Sequence, residues 1–439
     1  FNYKQGEEVF ETINERERCG RIKIRRTYKA DKGVLVQIGT PNGVFRRIEN
    51  GWVKLESEEE IAAHRSRGLQ SNEKRLPNIL SLITSEQFEM ITTDPKRPVI
   101  IQGIAGSGKT TVALHRLGWL LHKGNSHARA ENTRVIVMNK SLQVYVSSTL
   151  PSMGITGVNA VTFNSWALSI IRTATRGKAF FKYRELPEFV EKIKFSNGIL
   201  GALSWFVDKE VRNVDASISK EFFANKELIE LWKAGSAKAL QPRLKDFQHD
   251  IRKLDIPVKE KQTALDYVKH LSTDQGDYVE DLYRLLSDEK LLSSFLPAEP
   301  KLEEHLSFLS RIVEKNRRKN FLDYYDMSLI LRLIQLKYGG LPNKYGGIDE
   351  FDHLVIDEAQ DFGPVEFAIM MDAVGDKRNL TIVGDVSQKI LFSRKFIGWD
   401  NILNSLGIKK RLIIIPTASP ITIYLGSSLA IISSSIEEI

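Results

Sequence analysis

Four short stretches near the N-terminus alternate in polarity and favour β structure: Arg21–Thr27, Val34–Ile38, Val44–Ile48 and Trp52–Leu55. Turn signals separate them at Asp31-Lys32-Gly33, Pro41-Asn42-Gly43 and Asn50-Gly51. This spacing predicts a small β-rich module over residues 1–80. Glu56–Arg67 then reads as a charged helix. Glu7, Glu8 and Glu11 read as a solvated helix face rather than a metal cluster.

The pattern changes at residue 81. Ser85–Ile91 and Thr110–Leu121 read as helices, the second with apolar Val112, Leu114, Leu117, Leu120 and Leu121. Arg97–Gln102, Arg134–Met138 and Asn159–Phe163 read as short buried strands. Strands alternating with helices predict a parallel α/β sheet. Residues 167–320 lose the β signal and become rich in Lys, Glu and Leu. Between 171 and 320 there are 28 Lys and Arg against 24 Asp and Glu, a face of mixed sign and not a polybasic arm. Four to six helices are expected there. Phe321–Lys337 reads as one more helix, and apolar strands return at Leu354–Asp357 and Leu380–Gly384. The expected organisation is an α/β domain in two halves, 81–166 and 321–410, interrupted by a helical insertion over 167–320.

Composition sets outer bounds. The chain has 439 residues, 42% hydrophobic and 27% charged. That is ordinary globular usage, which excludes wholesale disorder and collagen-like or multi-span membrane architectures. A formal net charge of +8 permits a polyanionic partner without demanding one. The single cysteine, Cys19, cannot form an internal bridge, so a reducing compartment such as the cytoplasm is expected. Phe1 is not a start methionine, and no signal-peptide pattern follows it, so the sequence reads as a fragment or a processed chain. Near the end, Leu412–Ile436 carry no charge. That length would allow a membrane span, but Pro416, Pro420 and many Ser and Thr weigh against one. A buried strand pair or an aberrant tail over 411–439 is the better expectation.

Gly103–Thr110 reads GIAGSGKT, the G-x-x-x-x-G-K-[ST] phosphate loop. Gly103, Gly106 and Gly108, with Ile104, Ala105 and Ser107 between them, let the backbone fold tightly so that its N–H groups face phosphate oxygens. Lys109 would bring a point charge to the β- and γ-phosphates, and the Thr110 hydroxyl would ligate Mg²⁺. A helix opening near Thr110 and Thr111 aims its positive end at the same phosphates. A strand precedes the loop and an amphipathic helix follows, the context the motif requires.

His353–Asp361 reads HLVIDEAQD. An apolar strand delivers Asp357, a Mg²⁺ ligand through water, and next to it Glu358, placed to orient and deprotonate the attacking water. Leu380–Ile390 reads LTIVGDVSQKI. Asp385 and Gln388 follow its strand end, on the rim where ligands bind in such sheets. Gln388 is a candidate to hydrogen-bond a γ-phosphate and report its loss.

Together these three motifs resemble those of the UvrD/Rep-like superfamily 1 helicases, whose acidic motif takes the form DEAQD and whose third motif resembles VGDVSQ at 383–388. LITSEQFEMI (82–91) looks like that group's Q motif, in which Gln87 would read the adenine edge. VTFNSWA (161–167) resembles its TxF motif, in which Thr162 and Phe163 approach single-stranded nucleic acid. RVIVMNKSLQVYVSSTLPSMG (134–154) takes the place of motif Ia, and DYYDMSLIL (323–331) resembles the helix before the acidic motif. The wording of 101–121 and 134–154 is most similar to the HelD (helicase IV-like) branch. The likeness covers about 82–166 and 321–400, with the insertion where the group places a second subdomain.

The resemblance implies ATP- and Mg²⁺-dependent movement on single-stranded DNA or RNA, with aromatic residues gripping bases. Phe163, Trp166 and Trp399 are the candidates. It further implies a second RecA-like domain with motifs IV to VI, for which too few residues follow Gln388. A chain of this extent is then expected to unwind weakly or not at all, and the uncharged tail reads as an out-of-frame or truncated ending. The HelD likeness also raises a non-catalytic alternative, an ATP-switched module that binds a protein partner such as RNA polymerase through its helical insertion.

Overall fold

Val9, Phe10, Thr12 and Ile13 intersperse Glu8 and Glu11 with β-branched and aromatic residues, and such a stretch favours an extended chain. In the computed structural model this segment is a strand. The structure describes residues 8–13, 16–21, 27–31, 34–40, 43–48, 51–55, 85–95, 98–103, 108–376, 379–384, 412–413 and 421–425. They belong to two units, 1–90 and 91–439.

In the first unit, β1 (Glu8–Ile13) and β2 (Arg16–Arg21) form an antiparallel hairpin. The register sets Glu8 opposite Arg21 and Glu11 opposite Arg18, pairings of opposite charge that suit a ladder. The helix face expected for these acids is therefore corrected to a strand, while Glu7 lies outside the described residues. β3 (Thr27–Asp31), β4 (Val34–Thr40), β5 (Gly43–Ile48) and β6 (Gly51–Leu55) make a four-stranded antiparallel meander. The turn signals stand between these strands; of the expected strand Arg21–Thr27, Arg21 ends β2 and Thr27 opens β3, and residues 22–26 lie outside the described residues. Glu56–Arg67 lies outside the described residues. The helix Ser85–Ile91 is where it was expected.

The second unit is built on a sheet of seven strands. β7 (Val99–Gly103), β8 (Thr133–Val137) and β9 (Asn159–Thr162) come from the first stretch of this unit. Small two-residue ladders follow: β10 (Phe181–Lys182) with β11 (Leu322–Asp323), and β12 (Leu341–Pro342) with β13 (Ile348–Asp349). β14 (His353–Ile356) and β15 (Leu380–Gly384) rejoin the main sheet. β16 (Leu412–Ile413) and β17 (Ile421–Leu425) come from the uncharged tail.

The order is β16-β17-β7-β15-β14-β8-β9. The five strands from β7 to β9 are parallel, and β17 adds antiparallel to β7. Part of the tail thus pairs as strands on the sheet edge. Among the described residues no helix is long and apolar enough to cross a membrane.

Val99, Ile100, Ile101, Leu354, Ile356, Leu380 and Ile382 are buried, as expected for parallel strands covered on both faces. The insertion holds eight helices, not four to six: Glu188–Lys194, Asn197–Glu221, Lys226–Ala234, Leu240–Ile251, Val258–Asp274, Tyr278–Ser287, Glu289–Phe295 and Leu302–Arg318. The excess arises at breaks without a Gly or Pro signal. Asp288, for example, ends one helix and caps the next by accepting a hydrogen bond from Leu291 N at 3.0 Å.

The first and last of these helices share one hydrophobic core with the sheet. Val214, Phe222, Trp232, Leu244, Phe247 and Val268 centre a second, smaller core. The expected helix Phe321–Lys337 starts later, at Asp326, because Leu322–Asp323 pairs as β11.

Candidate nucleotide-hydrolysis site

Parallel strands end on one edge of a sheet, and their loops meet there. β7 ends at Gly103, and the helix Lys109–Leu120 starts beyond the loop. Ile104, Ala105, Gly106 and Ser107 lie outside the described residues. Gly108 closes the loop with φ of 84°, a left-handed backbone that glycine adopts without strain. Lys109 follows, buried, and Thr110 and Thr111 are half-buried in the first helical turn.

β15 separates β7 from β14, so the acidic strand ends two places from the loop. Asp357 N donates to Ile136 O at 2.9 Å, extending the β14–β8 ladder by one step and fixing the Asp357 backbone. The Thr110 hydroxyl then donates to Asp357 Oδ2 at 2.9 Å across 247 residues of sequence. Two motifs read separately in the sequence therefore meet in a direct contact.

The electrostatics there are those of an anion short of a counter-charge. Burial pushes the Asp357 carboxyl up to about 6; the Thr110 hydrogen bond pulls the other way, the Glu358 charge adds to the rise, and Lys109 offsets it. A buried carboxylate with a hydroxyl oxygen beside it is a hard oxygen donor set that fits Mg²⁺. The residues present therefore suit a magnesium nucleotide.

Glu358 has φ 52° and ψ 46°, left-handed backbone that a non-glycine residue adopts at a cost of about 1–3 kcal/mol. Its N–H donates to Asp357 Oδ1 at 2.9 Å, and Gln360 Nε2 donates to Glu358 Oε2 at 2.6 Å. Asp357 is buried and Glu358 beside it half-buried, and Gln360 orients the second acid. Gly363 N donates to Glu366 Oε2 at 2.7 Å as the helix Pro364–Met371 begins, anchoring the far side of the motif.

The UvrD/REP helicase N-terminal domain matches residues 83–395, well over half of the chain. The chain belongs to the UvrD/REP helicase family. Compared with curated proteins, it finds no match.

The other site candidates separate. Gln388, Asp385 and Trp399 lie outside the described residues. Gln87 is half-buried on the helix Ser85–Ile91 in the first unit. Thr162 caps the helix Phe163–Ala174: its hydroxyl accepts from Ser165 N at 3.2 Å and donates to Ser165 Oγ at 2.9 Å.

Phe163 and Trp166 are corrected as base-stacking candidates. They are 2% and 7% exposed, so neither ring presents a face to a base. They pack edge to face at 5.9 Å. Phe163 also contacts Phe362 at 5.9 Å, and Phe362 contacts Phe367 at 6.2 Å. A chain of rings therefore runs from the TxF motif to the residues just after DEAQD. Thr162, with Asn164 and Ser165 exposed beside it, is what that motif offers to solvent.

Two buried residues with no assigned role lie on the same elements. Arg116 is fully buried on the helix after the phosphate loop and donates to the carbonyls of Ile91, Thr93 and Asp94 at 3.3, 2.7 and 3.4 Å. Burial lowers its pKa to about 10. His353 opens β14, and its Nε2 lies 2.9 Å from Thr381 Oγ1 on β15. Burial, then the Arg116 charge, lowers the His353 pKa to about 3.

An unfolded histidine titrates near 6.5, so between pH 6.5 and pH 3 the unfolded chain binds the extra proton. The stability His353 contributes is therefore present above pH 6.5 and is lost as pH falls. Acidification from pH 7 to pH 5 should cost about 2 kcal/mol at this residue. Denaturant unfolding at both pH values should show that much less acid sensitivity in His353→Asn than in wild type. Equal sensitivity in the two proteins would refute it.

Proposed function

We propose that the chain is an ATP-driven motor domain that acts on single-stranded nucleic acid. The contact between Thr110 and Asp357, with the half-buried Glu358 beside it, carries this reading. Bound MgATP would supply the reactive γ-phosphoryl group and its counter-ion. Lys109 would neutralise charge on the β- and γ-phosphates, and Thr110 with Asp357 would hold the magnesium. Glu358 would accept a proton from the attacking water while Gln360 fixes its carboxylate. Gln388 would hydrogen-bond the γ-phosphate, and Gln87 would recognise adenine. Thr162 would meet the strand, and the rings from Phe163 to Phe367 would link that contact to the acidic motif.

Lys109→Ala tests this reading. A charged hydrogen bond contributes about 1.5–3 kcal/mol, so the substitution should weaken MgATP binding by about one to two orders of magnitude. Oligothymidine should stimulate hydrolysis by wild type and not by the variant. A folded wild-type chain that binds no nucleotide would overturn the proposal.

A further inference from the structure

The segment after the TxF helix carries a chemistry that the nucleotide site does not use. From Thr175 to Arg184 it holds four basic residues and no acid. Phe181 packs against the core. Its neighbours Phe180 and Lys182 are exposed. Phe180 is 66% exposed and Tyr183 73%. The β10–β11 register pairs Lys182 with Asp323, and Tyr183 and Tyr324 are the next residue after each strand. Tyr324 is 45% exposed. Three exposed aromatic residues therefore flank one two-residue ladder in the chain.

The charges around them are uncommitted. Lys178, Lys182 and Arg184 are exposed, and none has an ion-pair partner among the described residues. Arg318 and Lys319 lie just before β11, exposed in the same way. They border a shallow groove of about 440 Å³ along the helix Leu302–Arg318. Its acid, Glu314, already receives a hydrogen bond from Arg317 at 3.4 Å. The first acid after the basic run is Glu185.

We propose that this surface is a second contact for single-stranded nucleic acid, separate from Thr162. Phe180 and Tyr183 would stack on unpaired bases, and Lys178, Lys182 and Arg184 would hold phosphates. Open rings interleaved with free cations are what a single strand requires, because every base has a face to stack and every linkage a charge. A duplex hides its base faces, and an acidic polypeptide would use the cations but leave the rings without partners. The helix Phe163–Ala174 has 12 residues, about 18 Å of rise, so the patch lies at the opposite end of that helix from Thr162. A strand held at both places would be gripped away from the nucleotide edge as well as on it.

The proposal rests on the strand-translocating reading above, and the test separates the two. Binding of labelled oligothymidine to the full chain is measured by anisotropy across a salt series, with thermal melting as a check on folding. Phe180→Ala with Tyr183→Ala should weaken binding at least about ten-fold and leave the salt dependence alone. Lys178→Ala, Lys182→Ala and Arg184→Ala together should lower the slope of log affinity against log salt by about 2. A wild-type chain that binds no oligothymidine breaks the translocase reading. Wild-type binding that both variants retain unchanged breaks this proposal alone. So does displacement of the strand by polyglutamate from wild type but not from the triple variant, which would assign the surface to an acidic polypeptide.

Discussion

Glu358→Gln should lower the rate of ATP hydrolysis by about 10²–10⁴-fold, the usual worth of a positioned general base, and keep nucleotide affinity within a few-fold of wild type. The change is close to isosteric. Gln360 Nε2 donates to Glu358 Oε2 at 2.6 Å, and an amide oxygen can accept the same bond, so the orientation survives. The left-handed backbone at this position is no harder for glutamine than for glutamate. Only the capacity to take a proton is lost. Single-turnover hydrolysis with protein in excess reads the chemical step, and binding of a non-hydrolysable analogue reads affinity. Unchanged hydrolysis would remove Glu358 from the chemistry. A parallel loss of affinity would place it among the groups that hold the nucleotide. Asp357→Asn makes the contrast, because it weakens the site for the metal itself and should reduce both quantities.

The part of this site that was legible in the sequence is the part with local rules. The parallel strands announce themselves as short apolar runs, and β7, β8, β14 and β15 fall within a residue or two of expectation. The phosphate loop and DEAQD carry fixed spacing, so their partnership could be inferred across 247 residues. Phe163 shows a different limit. Its motif names the residue and says nothing about where the ring points. Phe163, Trp166, Ala167, Ile170 and Ile171 are the buried positions of their helix, the i, i+3, i+4, i+7, i+8 stripe of a helix face that meets a core. That stripe was present in the sequence and outweighs the motif. Arg116 and His353 had no such signal. A buried arginine inside an amphipathic helix and a histidine at a strand start gain meaning only from carbonyls and hydroxyls that other segments bring to them.

Lys194→Ala should destabilise the second unit by about 3–5 kcal/mol, the usual result of removing one partner from a buried ion pair. Lys194 ends the first helix of the insertion. Its Nζ lies 2.7 Å from Asp323 Oδ2 and 2.6 Å from Asp326 Oδ1, and all three side chains are buried. Burial draws the ammonium pKa down, but Asp326 and then Asp323 outweigh it and hold it above the ordinary lysine value. The opposite pressure acts on Asp326, which burial pushes up to about 6 against the pull of Lys194. The other carboxylate oxygens are also engaged: Asp326 Oδ2 accepts from Asp323 N and Asp323 Oδ1 from Tyr325 N, each at 3.0 Å. Removing the lysine would leave two like charges buried together with no counter-ion. Volume alone cannot explain such a loss, and Lys194→Met should lose nearly as much. Adding Asp323→Asn and Asp326→Asn to Lys194→Met should recover much of the stability, because the triple variant buries no charge. Denaturant midpoints of the four proteins decide the matter: a single-variant loss below about 1 kcal/mol, or no recovery in the triple, would rule out charge as the cause. The position explains why the cluster matters to the motor. Lys194 fastens the start of the insertion to β11 and the helix that follows it, just past the insertion's end. Phe195, next to it, packs edge to face on Tyr325 at 5.6 Å and sits 3.0 Å from where a Cβ on Gly363 would lie. The buried lysine thus pins the base of the helical insertion, and Phe195 beside it faces the loop that follows the acidic motif.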